Sequence, residues 1–229
     1  MRVGCVKTET NFFGGLVHGQ NSMKPKEGYN ALLAQKLIEE LKKRNMEGFY
    51  CATKEEALKK VLELIPQGSL VSCGGSATLH EMGVQVALKQ GGYNFLDPDD
   101  AQGGKAKEQV AHQALSADYY LMSANAISVT GELVNLDGIG NRVAALTFGP
   151  KKVIVIAGIN KVTPTLDAAI LRAKTYAAPL TVMIFKQDYS SLDELSQAAE
   201  SAYSHLVITG RSTMKGRIQV ILVGESLGF

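Results

Sequence analysis

The run Gly74-Gly75-Ser76-Ala77-Thr78 follows an apolar segment, Ser69 to Cys73, and precedes helical apolar spacing that continues towards Leu88. Glycines let a main chain come close to a ligand, and unpaired N–H groups at a helix start favour a phosphate or carboxylate. Gly74, Gly75, Ser76 and Thr78 are therefore candidate anion-binding residues. The same residues also suit an ordinary tight turn with Ser76 as the helix cap. Glu81, in the first turns of the same helix, is a candidate acid or base, or else a carboxylate that merely complements the helix dipole.

A second group lies in the polar block Ser123 to Arg142, directly after the apolar run Asp118 to Met122. Asn125, Asn135, Asp137, Gly138, Asn141 and Arg142 concentrate there. Turn chemistry accounts for part of it, since Asn, Asp and Gly dominate tight turns, and Gly131-Glu132 reads as a hairpin turn. The octapeptide Asn135 to Arg142 is different, because its polar side chains precede an apolar helix, where a site at the carboxyl ends of parallel strands sits. Asp137 is the candidate acid/base. Lys161, just beyond the β-branched run Lys152 to Ala157, is a candidate partner for a ligand's negative charge, although a surface lysine is the commoner case.

These groups need a scaffold that holds three loops together. Glu27 to Met46 repeats apolar residues at helical spacing and ends in Lys42, Lys43 and Arg44, which suit a helix C-terminus. After the short apolar run Phe49 to Ala52, Thr53 and Glu56 form a capping box for a helix over Lys54 to Ile65, stopped by Pro66-Gln67-Gly68. Further helices are expected over Lys105 to Leu115, Thr165 to Tyr176 and Ser191 to Tyr203. Strands are expected at Ser69 to Cys73, Asp118 to Met122, Lys152 to Ala157 and Arg217 to Val223. This alternation predicts an α/β fold with an open, mainly parallel sheet and helices on both faces. The loops at Gly74 to Ser76 and Asn135 to Arg142 should then meet at one edge of the sheet.

The chain has 229 residues, 45% of them hydrophobic, enough for one α/β domain from Met23 to Phe229. Residues 1–22 have no amphipathic period and no signal-peptide pattern, so they read as a weakly ordered extension. With 24 basic and 22 acidic residues spread throughout, no basic footprint for nucleic acid exists. No apolar run reaches the roughly 18–20 residues of a membrane span. Cys5, Cys51 and Cys73 match neither a disulfide framework nor a zinc pattern, which places the chain in a reducing, cytoplasmic setting without a bound metal.

Taken together, GGSATLHEMG, NAISVTGELVNLDGIGNRVAALTFGPKKVIVI, Asn160-Lys161 and GRIQVILVGESLGF resemble the LUD (lactate utilisation) domain family, lactate utilisation protein C type, over nearly all of residues 23–229. The resemblance implies the fold shared by ribose-5-phosphate isomerase, glucosamine-6-phosphate deaminase and CoA transferases. It implies an anion held by Gly74, Gly75, Ser76 and Thr78, and a reacting end lined by Asn125, Asn135, Asp137, Gly138 and Asn141. It further implies an organic-acid oxidation system, L-lactate to pyruvate, in which the chain binds a small anionic metabolite alongside iron–sulfur oxidoreductase subunits. Many similar proteins carry a cysteine-rich segment that Phe185 to Arg217 lacks, so no cofactor is assigned to this chain. Asn125 stands where the sugar isomerases have an acidic residue. Whether the chain is itself an enzyme stays open, with a metabolite-sensing or assembly subunit and a sugar-phosphate isomerase-like enzyme as alternatives, and self-association is left open too.

Overall fold

The computed structural model describes residues 24–229; the expected extension over 1–22 and Cys5 lie outside the described residues. Helix α1 (Pro25–Lys43) leads into β1 (Glu47–Cys51), α2 (Lys54–Leu64) and β2 (Leu70–Cys73). The short helices α3 (Ala77–Glu81) and α4 (Val84–Gln90), strand β3 (Asn94–Leu96), helix α5 (Gly104–Ala114) and β4 (Tyr119–Met122) follow. Then come β5 (Ala126–Ser128), β6 (Leu133–Asp137), α6 (Asn141–Thr147), β7 (Lys152–Gly158) and β8 (Val162–Thr163). The chain finishes with α7 (Leu166–Arg172), α8 (Ala178–Phe185), α9 (Leu192–Ala202), β9 (His205–Thr209) and β10 (Ile218–Val223).

Six strands form a wholly parallel sheet in the order β1-β10-β7-β4-β2-β3. Its central strands are apolar on both faces, as strands covered by helices on each side must be. On β7, Val153, Val155 and Ala157 join the core under α1 and α6, whereas Ile154 and Ile156 join the core under α2, α3 and α4. Leu37 and Leu41 of α1 and Val61 of α2 are fully buried on opposite sides. The expected open parallel sheet is thus the architecture observed.

Thr53 caps α2 as its sequence requires: its hydroxyl accepts from the Glu56 N–H at 3.3 Å, and the Glu56 carboxylate returns to the Ala52 N–H at 2.8 Å. Thr53→Ala should cost about 1 kcal/mol, read as a shift in the urea midpoint at unchanged slope. An unchanged midpoint would show that the cap contributes nothing.

Several expectations are corrected in detail. The helix expected to run from Ser76 to Leu88 is broken at Gly83, whose φ of 68° is left-handed. The helix expected over Thr165 to Tyr176 continues through a wider turn at Ala173–Ala177 into α8. By length and composition Leu166–Phe185 could cross a membrane, but it carries Asp167, Arg172 and Lys174 and packs by Ala169, Ala173 and Ala178 on protein. The block Ser123 to Arg142, expected as loop, contains β5 and β6. These pair with β8 and with β9, a strand the sequence did not announce, in a second sheet of order β8-β5-β6-β9.

Candidate functional site

Between β2 and β4 the chain reverses its direction of travel across the sheet: from β2 it steps outward to β3, then returns past β2 to β4. Crevices at the carboxyl ends of strands open at such a switch point. Three loops leave this edge side by side, after β2 (Gly74 to Ser76), after β4 (Ser123 to Asn125) and after β7 (Gly158 to Lys161). The β6–α6 loop, Gly138 to Gly140, descends onto them from the second sheet. Between the loops lies a cleft of about 670 Å³.

Of the residues expected from sequence, Gly75, Ser76, Asn125, Asp137, Gly138, Asn141, Arg142 and Lys161 line this cleft. Gly74, Thr78 and Asn135 lie one layer behind, Thr78 accepting from Lys161 and Asn135 from Arg142, while Glu81 is exposed and accepts the Gly228 N–H at 3.0 Å. The expected meeting of the β2 turn with the loop Asn135 to Arg142 is what the structure shows.

Lys161 is the centre of the floor. It is 3% exposed, and its Nζ donates to the hydroxyls of Thr78 at 2.9 Å and Ser123 at 3.0 Å. Each hydroxyl directs its own proton elsewhere, Thr78 to the Leu227 carbonyl and Ser123 to the Ala124 carbonyl, both at 3.4 Å. Both hydroxyls are therefore acceptors towards the lysine. No carboxylate lies within ion-pair distance of Nζ among the described residues. Burial, then the neighbouring Arg172 and Arg142 charges, push its pKa down to about 7, opposed by Glu81.

Arg142 forms the cleft's inner wall. Nη1 donates to the Ser123 carbonyl at 3.1 Å and to Asn135 Oδ1 at 2.8 Å; Nη2 donates to Asn125 Oδ1 at 3.2 Å and to the Leu136 carbonyl. Nε faces Asp137 at 3.6 Å. The guanidinium thus ties the β4 loop to β6, with four hydrogen bonds from its two Nη atoms to protein acceptors. Gly74 makes room for it, because a Cβ there would meet Arg142 Cδ at 3.0 Å and the Tyr120 hydroxyl at 2.9 Å. Asp137 accepts from Gly140 N–H at 3.0 Å and Val143 N–H at 3.2 Å, and so caps α6 in place of Gly140. Asn125 Oδ1 is also fixed by the Leu136 N–H at 2.9 Å, and Asn125 is among the residues that line the cleft.

Gly75 differs from Gly74. It is exposed, its φ is not left-handed, and a Cβ there would meet nothing within 4 Å. Gly75→Val should therefore leave the melting temperature within about 2 °C of the parent, well below the several degrees per kcal/mol of a destabilising change, while narrowing the cleft mouth. Thermal denaturation beside ligand titration checks this; a large loss of stability would return Gly75 to a purely conformational role.

Sequence reasoning missed the opposite wall. Val182, Ile184 and Phe185 of α8, Tyr203 after α9, and Phe229 make it largely apolar. Nothing local marks these residues, which reach the cleft only through long-range packing. Ser123 was legible in principle, since it follows β4 as Gly74 follows β2.

A wholly parallel sheet with helices on both faces and a lysine-floored cleft at its switch point defines the chain as an α/β protein of the open-sheet class. Within that class the chain belongs to the LUD domain family, which its sequence matches over residues 34–223. The fold is also similar to the crystal structure of a DUF162 family protein from Deinococcus radiodurans, with a TM-score of 0.52 and 14% identity over 85% of this chain and 98% of that one. A weaker likeness, TM-score 0.32 and 21% identity over 48% of each chain, is to eIF2B delta from Chaetomium thermophilum. No curated protein matches the chain. Membership of the family places the protein in a lactate-utilisation-related role.

Proposed function

We propose that the chain is a component of an organic-acid oxidation system, L-lactate to pyruvate, and that its cleft binds the carboxylate of the metabolite. Lys161 carries this reading: it is a buried basic group on the cleft floor with no carboxylate partner among the described residues and with Arg172 and Arg142 nearby. Burying a charge without a counter-charge is costly, and a ligand's carboxylate supplies the missing one. Asn125 Nδ2 and the Gly75–Ser76 main chain are the further groups available to it. Asp137 and Glu81 enter as residues that shape the site, one by capping α6 and the other by holding Gly228. Iron–sulfur oxidoreductase subunits in the cytoplasm are the partners this role calls for, since electrons leaving lactate need an acceptor.

Calorimetric titration with L-lactate, pyruvate, 2-hydroxy-4-methylpentanoate and ribose 5-phosphate tests the reading. Binding of the carboxylates, weakened at least about tenfold in Lys161→Met, the scale of a lost charged hydrogen bond, is the expected result. The longer acid probes the apolar wall, which a three-carbon acid leaves uncovered. Binding of ribose 5-phosphate alone would favour the sugar-phosphate alternative, and equal affinities in parent and variant would remove Lys161 from the site.

A further inference from the structure

The hydrogen bonds around Lys161 leave one direction of its nitrogen unassigned. A neutral amine has two N–H donors and one lone pair. Both donors are directed at Thr78 and Ser123, whose hydroxyls have main-chain carbonyls at 3.4 Å towards which to turn their own protons. What remains on Nζ is the lone pair. Gly228 closes the space on one side, where a Cβ would stand 3.3 Å from Nζ and 2.6 Å from the Thr78 hydroxyl. The Glu81 carboxylate and the Asn160 amide hold Gly228 there by its N–H and its carbonyl. The other side is the cleft.

We propose that Lys161 attacks the carbonyl carbon of a 2-oxo acid bound in the cleft and holds it as an imine. In this step the Nζ lone pair forms the C–N bond, the carbonyl C–O bond breaks, and both nitrogen protons leave with the oxygen as water, so no oxidant or reductant is needed. A 2-oxo acid answers the two features of the floor together. Its carbonyl is the electrophile, and its carboxylate, one carbon away, brings negative charge to a place where neither Lys161 nor Arg172 has a carboxylate partner among the described residues. Once protonated at nitrogen, the imine draws electrons from the adjacent carbon and acidifies the C3–H of the bound acid. The inference rests on the reading of the cleft as a carboxylate site and adds a covalent bond to it. An amine that titrates near 7 is half neutral at neutral pH, against about one in a few thousand for an ordinary lysine.

The test is reductive trapping of the full chain with pyruvate and cyanoborohydride at pH 7.5, followed by peptide mapping. A carboxyethyl group is expected on Lys161, at more than about ten times the level on any other lysine given the difference in neutral amine. Lys161→Met should abolish that adduct, and mapping of the parent locates the site even if the variant folds poorly. Titration with L-lactate, which has no carbonyl, runs in parallel. Lactate binding without any adduct overturns the imine and leaves the carboxylate site standing. Neither binding nor adduct removes both, and labelling spread evenly over surface lysines also overturns the imine.

Discussion

Arg142→Met is expected to lower stability by about 3–5 kcal/mol, the range for removing one partner of a largely buried ionic network. Its guanidinium holds two carbonyls, of Ser123 and Leu136, two side-chain amides, of Asn125 and Asn135, and the Asp137 carboxylate. Methionine fills similar volume but satisfies none of them. Each buried acceptor left unpaired costs about 1–3 kcal/mol, and Asn135, whose Nδ2 already lacks a partner, would lose its Oδ1 partner as well. A total of this size is a large share of the 5–15 kcal/mol typical of a domain. Arg142→Lys should recover less than half, because one ammonium cannot span acceptors on both strand β6 and the loop after β4. Urea denaturation of the three proteins decides it; a loss below about 1 kcal/mol, that of an ordinary hydrogen bond, would mean the network relaxes around the change.

The same residue shows how far the sequence could be read. Arg142 stood out as a polar residue entering an apolar helix, and its place beside Asp137 and Asn135 followed from spacing. Its structural work did not, because the expectation of a ligand contact assumed free donors, and only the fold shows the donors directed at Ser123, Asn125 and Leu136. The parallel sheet was legible because β2, β4, β7 and β10 are continuous apolar runs separated by helical periods, the pattern that burial on both faces dictates. The second sheet was not. Its strands β5 and β8 have three and two residues, and β9 leaves Leu206 and Ile208, two of its three apolar residues, exposed. Such strands exist by pairing, β9 with β6 across a long stretch of chain, and carry no period of their own.

Gly75 and Gly74 illustrate the same boundary within one turn. The sequence presented them as equivalent, and glycine chemistry alone offered two explanations, close ligand approach or a strained backbone. The surroundings separate them: Tyr120 and Arg142 crowd Gly74, whereas Gly75 faces open space in an unstrained conformation. Lys161 was expected as a lysine reaching from the end of a strand. That it lies under the cleft, with Thr78 and Ser123 as its partners, depends on β2, β4 and β7 being neighbours in the sheet.

Lys161→Met should make the protein more stable at neutral pH, and the gain should fade as the pH rises. Burial lowers the folded-state pKa of Lys161 from 10.5 to about 7. Between those values the unfolded chain binds a proton that the folded chain lacks, so the parent's stability rises with pH across that window. Below pH 7 both states are protonated and the deficit is constant; above about 10.5 neither is, and the deficit is gone. At about 1.4 kcal/mol per pH unit the deficit at neutral pH is about 5 kcal/mol. Methionine removes it but leaves Thr78 and Ser123 without their donor, a loss of about 1–3 kcal/mol. The variant should then exceed the parent by about 2–4 kcal/mol at pH 7, the difference of those two figures. The difference between parent and variant is the sharper readout, because all other titrating groups are common to both. It should shrink by about 1 kcal/mol per pH unit between pH 7.5 and 9.5, and parallel stability curves would sink the assignment. Lactate offers a second view of the same proton. A carboxylate beside Lys161 favours the charged amine, so binding at pH 8 should take up close to one proton per site. Calorimetry in buffers of different ionisation enthalpy measures that uptake, and zero uptake would mean that the bound anion does not touch Lys161.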